Sequence, residues 1–207
     1  MKLCVFDCDS TLVDAETIDE LARLNGQNAA VSAITERAMA GELDFFEALS
    51  ERVKLLRGVD YQTACEVCHS LPLMPGAQEV VAELKARAYR VIIFSGGFRE
   101  ATEPLAQKLG ADADFANFLH HKKGVLTGLV GGEMMAAGAK GTMLERLQRL
   151  LGVSAKDTVA VGDGANDLAM FARSETRIAF CAKPVLREAA TACVDDKDLR
   201  GVLEYLP

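Results

Sequence analysis

The stretch that decides the fold is Lys2–Thr11, which reads KLCVFDCDST. It begins with a short apolar run that stops abruptly at an acidic loop. Similar short apolar runs that end in a loop recur at Arg90–Ser95, Thr158–Gly162 and Arg177–Cys181. Helical patterns lie between these runs, among them Ala77–Ala86, Arg99–Leu109 and Lys140–Leu151. Strands that alternate with helices favour a parallel sheet covered on both faces. The sequence therefore predicts an α/β fold built on a parallel sheet.

Residues 16–70 break this alternation, because they contain only helical patterns. One predicted helix face carries a regular apolar stripe made of Phe45, Leu49, Val53 and Leu56. Such spacing is typical of an amphipathic helix. We predict a helical cap over residues 14–71, inserted into a core made of residues 1–13 and 72–207.

A second departure from the alternation is glycine-rich. Residues 126–132 read LTGLVGG, and glycines among β-formers are typical of short strands and tight turns. We predict a small β-hairpin flap near residues 124–135, attached to the core.

Composition limits the classes of function. The chain has 207 residues, half of them apolar, and a formal net charge of −7. This charge disfavours general nucleic-acid binding, which requires a basic surface. No apolar run approaches the roughly 20 residues that cross a bilayer, and the N-terminal apolar run is too short for a signal peptide. We expect a cytoplasmic protein that binds neither nucleic acid nor membrane.

The six cysteines raise a different possibility. Cys65–His69 (CEVCH) has the spacing of c-type haem attachment and contains a CxxC pair. Haem attachment of that kind requires export, and no strand precedes the motif as it would in a thioredoxin-like unit. We predict instead a helix over Tyr61–Ser70 that carries two reduced thiols, and no haem. A haem or redox module that uses Cys65 and Cys68 remains the alternative from another functional class.

Two acidic loops follow predicted strands. Asp7 and Asp9 are two residues apart after the first strand, and Asp163 and Asp167 follow Thr158–Gly162. In a parallel sheet, ligands bind outside the carboxyl ends of the strands. Carboxylates that crowd together there repel each other unless a cation holds them, and Mg²⁺ prefers oxygen ligands. The two loops together predict a magnesium site.

Groups suited to an anion occur beside these loops. Ser95-Gly96-Gly97 lies at a strand end just before a helix, where backbone N–H groups and a hydroxyl can bind an anion. Lys140 begins a later helix and supplies a positive charge. Glycines also make ordinary turns and lysines are usually solvated, so each signal is weak when taken alone.

These loops, in this order, resemble the haloacid dehalogenase superfamily of phosphohydrolases, and within it the members that act on phosphoserine. The resemblance covers nearly the whole chain, including the predicted cap. It is carried by Asp7–Arg23 (DCDSTLVDAETIDELAR), Ile34–Leu56, Ala139–Leu144 (AKGTML), Val161–Met170 (VGDGANDLAM) and Ala179–Leu199. It implies a Rossmann-like core with an inserted helical cap.

The resemblance also implies roles for the loop residues. Asp7 would attack phosphorus and become an aspartyl phosphate. Asp9 would protonate the leaving oxygen and then accept a proton from water. Mg²⁺ would be held by Asp7, the backbone carbonyl of Asp9 and Asp163, with Asp167 nearby as ligand or orienter. The groups implied at the phosphate oxygens are Ser95, Gly96, Lys140 and Asn166.

Recognition of the rest of the substrate is implied for the cap. Glu16 would bind an ammonium group and Arg52 a carboxylate, while Met39 and Phe45 would close the apolar side. The implied reaction is hydrolysis of O-phospho-L-serine, a small-molecule substrate, as the last step of serine biosynthesis. A phosphotransferase that passes the phosphoryl group to homoserine, and a small-molecule phosphatase of broader scope, remain alternatives. The sequence predicts no oligomeric state.

Overall fold

The computed structural model describes residues 1–39 and 42–207, without the side chain of Met39. Its strands are β1 (Lys2–Asp7), β2 (Tyr89–Phe98), β3 (Ala113–Lys122), β4 (Val125–Gly132), β5 (Thr158–Gly162), β6 (Thr176–Phe180) and β7 (Ala192–Val194). Its α-helices are α1 (Thr17–Arg23), α2 (Asn28–Met39), α3 (Phe45–Lys54), α4 (Tyr61–His69), α5 (Ala77–Ala86), α6 (Arg99–Leu109), α7 (Ala139–Leu151), α8 (Leu168–Phe171) and α9 (Pro184–Arg187). Among the residues so described, no helix is long and apolar enough to span a membrane.

The seven strands form one sheet in the order β4-β3-β2-β1-β5-β6-β7. All neighbours are parallel except the β3–β4 pair. Side chains of β1 alternate between two buried clusters: Cys4 and Phe6 contribute to one, and Leu3 and Val5 to the other. Because successive side chains of a strand point to opposite faces, β1 is buried on both sides. The predicted α/β fold with a Rossmann-like parallel sheet is confirmed.

Four helices, α1 to α4, lie between β1 and α5. The apolar stripe predicted for this segment lies on α3 and its C-terminal turn. Leu49, Val53 and Leu56 are buried, while Phe45 is half-buried against the same cluster. Asp44 begins α3 with a capping box, since its side chain accepts from the Glu47 N–H and the Glu47 carboxylate accepts from the Asp44 N–H. We propose that these helices form the cap, and the domain limits given above remain a prediction.

The hairpin differs from the prediction near residues 124–135. It consists of β3 and β4, which turn at Lys123 and Gly124, so that only its second strand lies in the predicted segment. Both turn residues have positive φ, 54° and 77°, as the favoured two-residue hairpin turn requires. The Gly58 N–H donates to the Leu126 carbonyl and the Leu126 N–H donates to the Val59 carbonyl, at 2.9 and 2.8 Å. The hairpin is therefore tied to the segment between α3 and α4.

The CEVCH motif lies on α4, as predicted. The six cysteines are all free thiols. Burial, followed by the charge of Glu100, raises the pKa of Cys68 above its usual value; burial also raises the pKa of Cys65. Both thiols therefore stay protonated near neutral pH, a form that is a poor nucleophile and metal ligand.

We expect the double variant Cys65→Ser/Cys68→Ala to keep its catalytic activity within about twofold of wild type, because protonated thiols are poor nucleophiles and metal ligands. Steady-state kinetics on the purified variant measure this. A folded variant without turnover would show that the pair has a chemical role.

Candidate active site

The site lies at the carboxyl ends of three neighbouring strands. Asp7 ends β1, and β1 pairs with β2 on one side and β5 on the other. Ser95-Gly96-Gly97 lies near the end of β2, and Asp163 follows β5 directly. Parallel pairing brings these ends to one edge of the sheet, as the sequence predicts.

Lys140 lies at the centre of this edge. Its Nζ donates to Asp7 Oδ1 at 2.5 Å and to Asp167 Oδ1 at 2.7 Å, and its side chain is 4% exposed. Burial alone would lower the pKa of Lys140, but the Asp167 and Asp7 carboxylates raise it above its usual value. Lys140 is therefore a fixed, charged donor beside Asp7.

Asp7, Asp163 and Asp167 form a compact acidic group, in which one carboxylate oxygen of each lies within 4.8 Å of the others. Burial and the charges of Asp7 and Asp167 raise the pKa of Asp163 to about 8, and burial and Asp7 raise that of Asp167 to about 6. Lys140 alone does not offset the mutual repulsion of these three carboxylates, since the pKa values of two of them stay raised. Their oxygens are suitable ligands for a divalent cation such as Mg²⁺. The Asp9 carboxylate is not part of this group, and its backbone carbonyl remains the predicted ligand.

The loop after β5 holds Asp167 in place. The Asp163 and Gly164 N–H groups both donate to Asp167 Oδ2 at 3.1 Å. Gly162 leaves the room for this, because a Cβ there would lie 2.3 Å from Asp167 Oδ2. The glycine that precedes the acidic pair is thus required by the close approach of the carboxylate. Asn166 lies at the same loop, with Oδ1 2.7 Å from the position of a Cβ on Gly164.

Asp9 is held by the first residue of α1. The Thr17 hydroxyl donates to Asp9 Oδ1 at 2.5 Å. Burial, and then the charge of Glu16, raise the pKa of Asp9 to about 7. This carboxyl group can therefore gain and lose a proton near neutral pH, which suits a general acid and base. Sequence reasoning missed Thr17, although a hydroxyl at the start of the helix that follows an acidic loop is a usable signal.

The Ser95-Gly96-Gly97 loop lies against Asp9. The Gly97 N–H donates to Ser95 Oγ at 2.9 Å. A Cβ on Gly97 would lie 3.2 Å from Asp9 Oδ2 and 3.1 Å from Ser95 Oγ. The loop thus forms a narrow recess bounded by a hydroxyl and by the carboxyl of Asp9.

Of the four predicted cap residues, the structure places Phe45 against Gly96 of this loop and Glu16 against the loop that carries Asp9. The Phe45 ring covers Gly96, since its Cζ is 2.9 Å from the position of a Cβ there. Glu16 accepts a hydrogen bond from the Ser10 hydroxyl at 2.8 Å. Burial lowers the pKa of Arg52, opposed first by the charge of Glu16 and more weakly by that of Asp9. The Met39 side chain lies outside the described residues.

Comparisons with known proteins agree with this geometry. Residues 1–174 match the model of the haloacid dehalogenase-like hydrolases. A phosphoserine phosphatase of Wolinella succinogenes is 56% identical over 206 residues, which cover 100% of both chains. A solved phospho-aspartyl intermediate analogue of phosphoserine phosphatase has a TM-score of 0.95 and 46% identity, covering 100% of this chain and 99% of the other. A substrate-bound phosphoserine phosphatase complex has the same TM-score and identity, covering 100% and 98%. The chain belongs to the haloacid dehalogenase-like hydrolase family, where its full-length relatives include phosphoserine phosphatases.

Proposed function

We propose that this protein hydrolyses O-phospho-L-serine to L-serine and phosphate, the last step of serine biosynthesis, in the cytoplasm. The observation that carries the proposal is the buried contact of Lys140 with Asp7 and Asp167, beside Asp163. Full-length similarity to phosphoserine phosphatases supports the same substrate.

Hydrolysis would proceed in two transfers. An Asp7 carboxylate oxygen attacks phosphorus and the bond from phosphorus to the serine oxygen breaks, while Asp9 gives that oxygen its proton. Water then attacks the phosphorus of the acyl phosphate, Asp9 takes the proton of the water, and the carboxylate of Asp7 is restored. Each transfer is easier than direct hydrolysis, and Lys140 supplies positive charge to the transferring group.

Asp7, Asp163 and the backbone carbonyl of Asp9 would hold Mg²⁺, with Asp167 as ligand or orienter. A bound Mg²⁺ neutralises charge on the phosphoryl oxygens and on Asp7. Ser95, Gly96 and Asn166 would bind the remaining phosphate oxygens. The loops that carry these residues follow neighbouring strands at one edge of the sheet, which supports these assignments.

The serine part of the substrate would meet the cap. Glu16 would bind the ammonium group, the planar guanidinium of Arg52 the carboxylate, and Phe45 and Met39 the apolar side. Transfer to an alcohol such as homoserine is the alternative on the same scaffold. It predicts that an added acceptor gains phosphate faster than free phosphate forms.

A phosphate-release assay tests the substrate. The panel is phosphoserine, phosphothreonine, phosphotyrosine and sugar phosphates, each with and without Mg²⁺. We expect phosphoserine to give the highest kcat/KM, and chelation of Mg²⁺ to stop release. Equal rates over the panel would favour a broad small-molecule phosphatase.

The Arg52→Ala variant separates phosphoserine from a generic phosphate ester. Loss of a charge partner should lower kcat/KM for phosphoserine by about a hundredfold. The aryl ester p-nitrophenyl phosphate lacks the amino-acid head, so its turnover should change less than threefold.

Glu16→Gln is the matched check. It should impair phosphoserine, through the ammonium group, far more than the aryl ester, which has no ammonium group and reports only the effect of the lost Glu16 charge on the pKa of Asp9. Equal losses on both esters in Arg52→Ala would instead assign Arg52 to cap closure and remove the residue-level support for phosphoserine.

A further inference from the structure

Asn117 is a buried polar side chain that the chemistry above does not use. It lies on β3 and is 0% exposed. Its Nδ2 donates to the Gly96 carbonyl at 3.0 Å, and its Oδ1 accepts from the Met134 N–H at 3.0 Å. One amide thus joins the loop after Ser95 to the segment that leads into α7, the helix of Lys140.

The bond to Gly96 follows from an irregularity of the sheet. Phe94 pairs with Phe115, and the next pair along these strands is Phe98 with Asn117. Residues 95–97 of β2 therefore face a single residue of β3, and they leave the regular ladder. A main-chain carbonyl displaced in this way still needs a donor when it is buried. The Asn117 side chain supplies that donor to Gly96.

This bond fixes the direction of the peptide between Gly96 and Gly97. In a planar trans peptide the N–H points opposite to the C=O. With the Gly96 carbonyl held by Asn117, the Gly97 N–H points the other way and donates to Ser95 Oγ at 2.9 Å. A hydroxyl that accepts this bond keeps its own proton for a further acceptor. A carbonyl turned into the recess would instead place partial negative charge beside an anion.

The position of Asn117 is itself tightly held. Its backbone pairs with Gly132, whose φ is 143°. A Cβ on Gly132 would lie 2.5 Å from the Asn117 Cα. A glycine is therefore required opposite Asn117, and the close contact keeps the amide at a fixed distance from Gly96.

We propose that Asn117 is a positioning residue for the phosphoryl group. It holds the peptide between Gly96 and Gly97 so that the Ser95 hydroxyl donates to a phosphate oxygen. The inference rests on the proposed function only in that a phosphoryl group binds at this loop, and it does not depend on the serine part of the substrate.

Asn117→Asp tests the proposal with a side chain of the same shape. With its carboxyl group ionised, the variant keeps an acceptor for the Met134 N–H but loses the donor to Gly96. We expect the inhibition constant of inorganic phosphate, and the KM of both phosphoserine and p-nitrophenyl phosphate, to rise by about tenfold or more, because the phosphoryl group is common to all three. Unchanged phosphate inhibition in the folded variant overturns the proposal. Asn117→Leu removes the same donor without adding a charge and should show the same losses, which separates positioning from charge repulsion.

Gln148→Leu is the matched control. Gln148 also bridges elements through its side-chain amide, with Nε2 donating to Thr158 Oγ1 at 3.0 Å and to the Arg173 carbonyl at 2.9 Å. This variant should lower the thermal unfolding midpoint and leave phosphate inhibition unchanged. If it weakens phosphate inhibition as much as Asn117→Asp does, the effect is one of general stability and the proposal fails.

The wild-type protein offers a test that needs no variant. In NMR spectra, the side-chain amide resonances of Asn117 should shift when inorganic phosphate is added with Mg²⁺. Unchanged resonances would overturn the proposal. If the protein binds phosphate and cleaves p-nitrophenyl phosphate but not phosphoserine, the proposed substrate is wrong. Phosphate inhibition, the KM of p-nitrophenyl phosphate and the Asn117 amide resonances would still decide the role of Asn117.

Discussion

Asp7→Asn is expected to abolish phosphate release, with a loss in kcat of roughly 10⁴-fold or more. A neutral amide cannot form the acyl phosphate, so the two-step route has no first step. The side chain keeps its size and one oxygen for the contact with Lys140, so the fold should be retained. Phosphate release under saturating phosphoserine and Mg²⁺ measures the loss, and circular dichroism checks the fold.

Asp14→Asn is the matched control for this variant. Asp14 lies on the same loop region but is exposed and pairs with Lys197 Nζ at 2.5 Å on the surface. The same chemical change there should leave kcat within about twofold, because exposed ion pairs contribute little. Substantial turnover by Asp7→Asn would contradict the covalent route.

Lys140→Met should produce the second large effect, a drop in kcat of about 10²- to 10³-fold. Methionine matches the length of the lysine stem but removes the only donor shared by Asp7 and Asp167 among the contacts found in residues 1–39 and 42–207. In metal-free buffer the two buried carboxylates would lose their cation, so the free energy of unfolding should fall by about 3 kcal/mol. Urea unfolding with and without Mg²⁺ measures this second effect.

Lys156→Met, on the exposed 3-10 turn Ala155–Asp157, controls for loss of a lysine elsewhere. It should change neither kcat nor unfolding measurably. If Lys140→Met retains wild-type kcat, the buried lysine only stabilises the fold, and the role assigned to it in phosphoryl transfer is wrong.

The strands and the acidic loops could be predicted from the sequence because their signals are local. The run Lys2–Asp7 is apolar because β1 is buried on both faces, and it ends where Asp7 reaches the edge of the sheet. Thr158–Gly162 repeats the pattern and was predicted with its observed limits. The sequence does not predict strands β3 and β7. Four of the first five residues of β3 are Ala, Asp or Asn, which disfavour strands, and β7 has only three residues.

Contacts between distant parts of the chain could not be predicted in the same way. The burial of Lys140 depends on Asp7, 133 positions earlier, and its role was inferred only by resemblance. Asn117 meets Gly96 through a sheet irregularity between β2 and β3, and β3 itself was not predicted. The periodicity of a sequence reports which face of an element is buried, whereas these polar contacts depend on the register between strands.

Rapid acid quenching with phosphoserine labelled in its phosphoryl group tests the central claim most directly. The claim predicts that, within the first turnover, label appears on the protein as an acyl phosphate that hydroxylamine removes, and that peptide mapping places it on Asp7. Asp7→Asn should retain none. Release of labelled phosphate at the full rate with no labelled protein at any time, or label on a residue other than Asp7, would contradict the account.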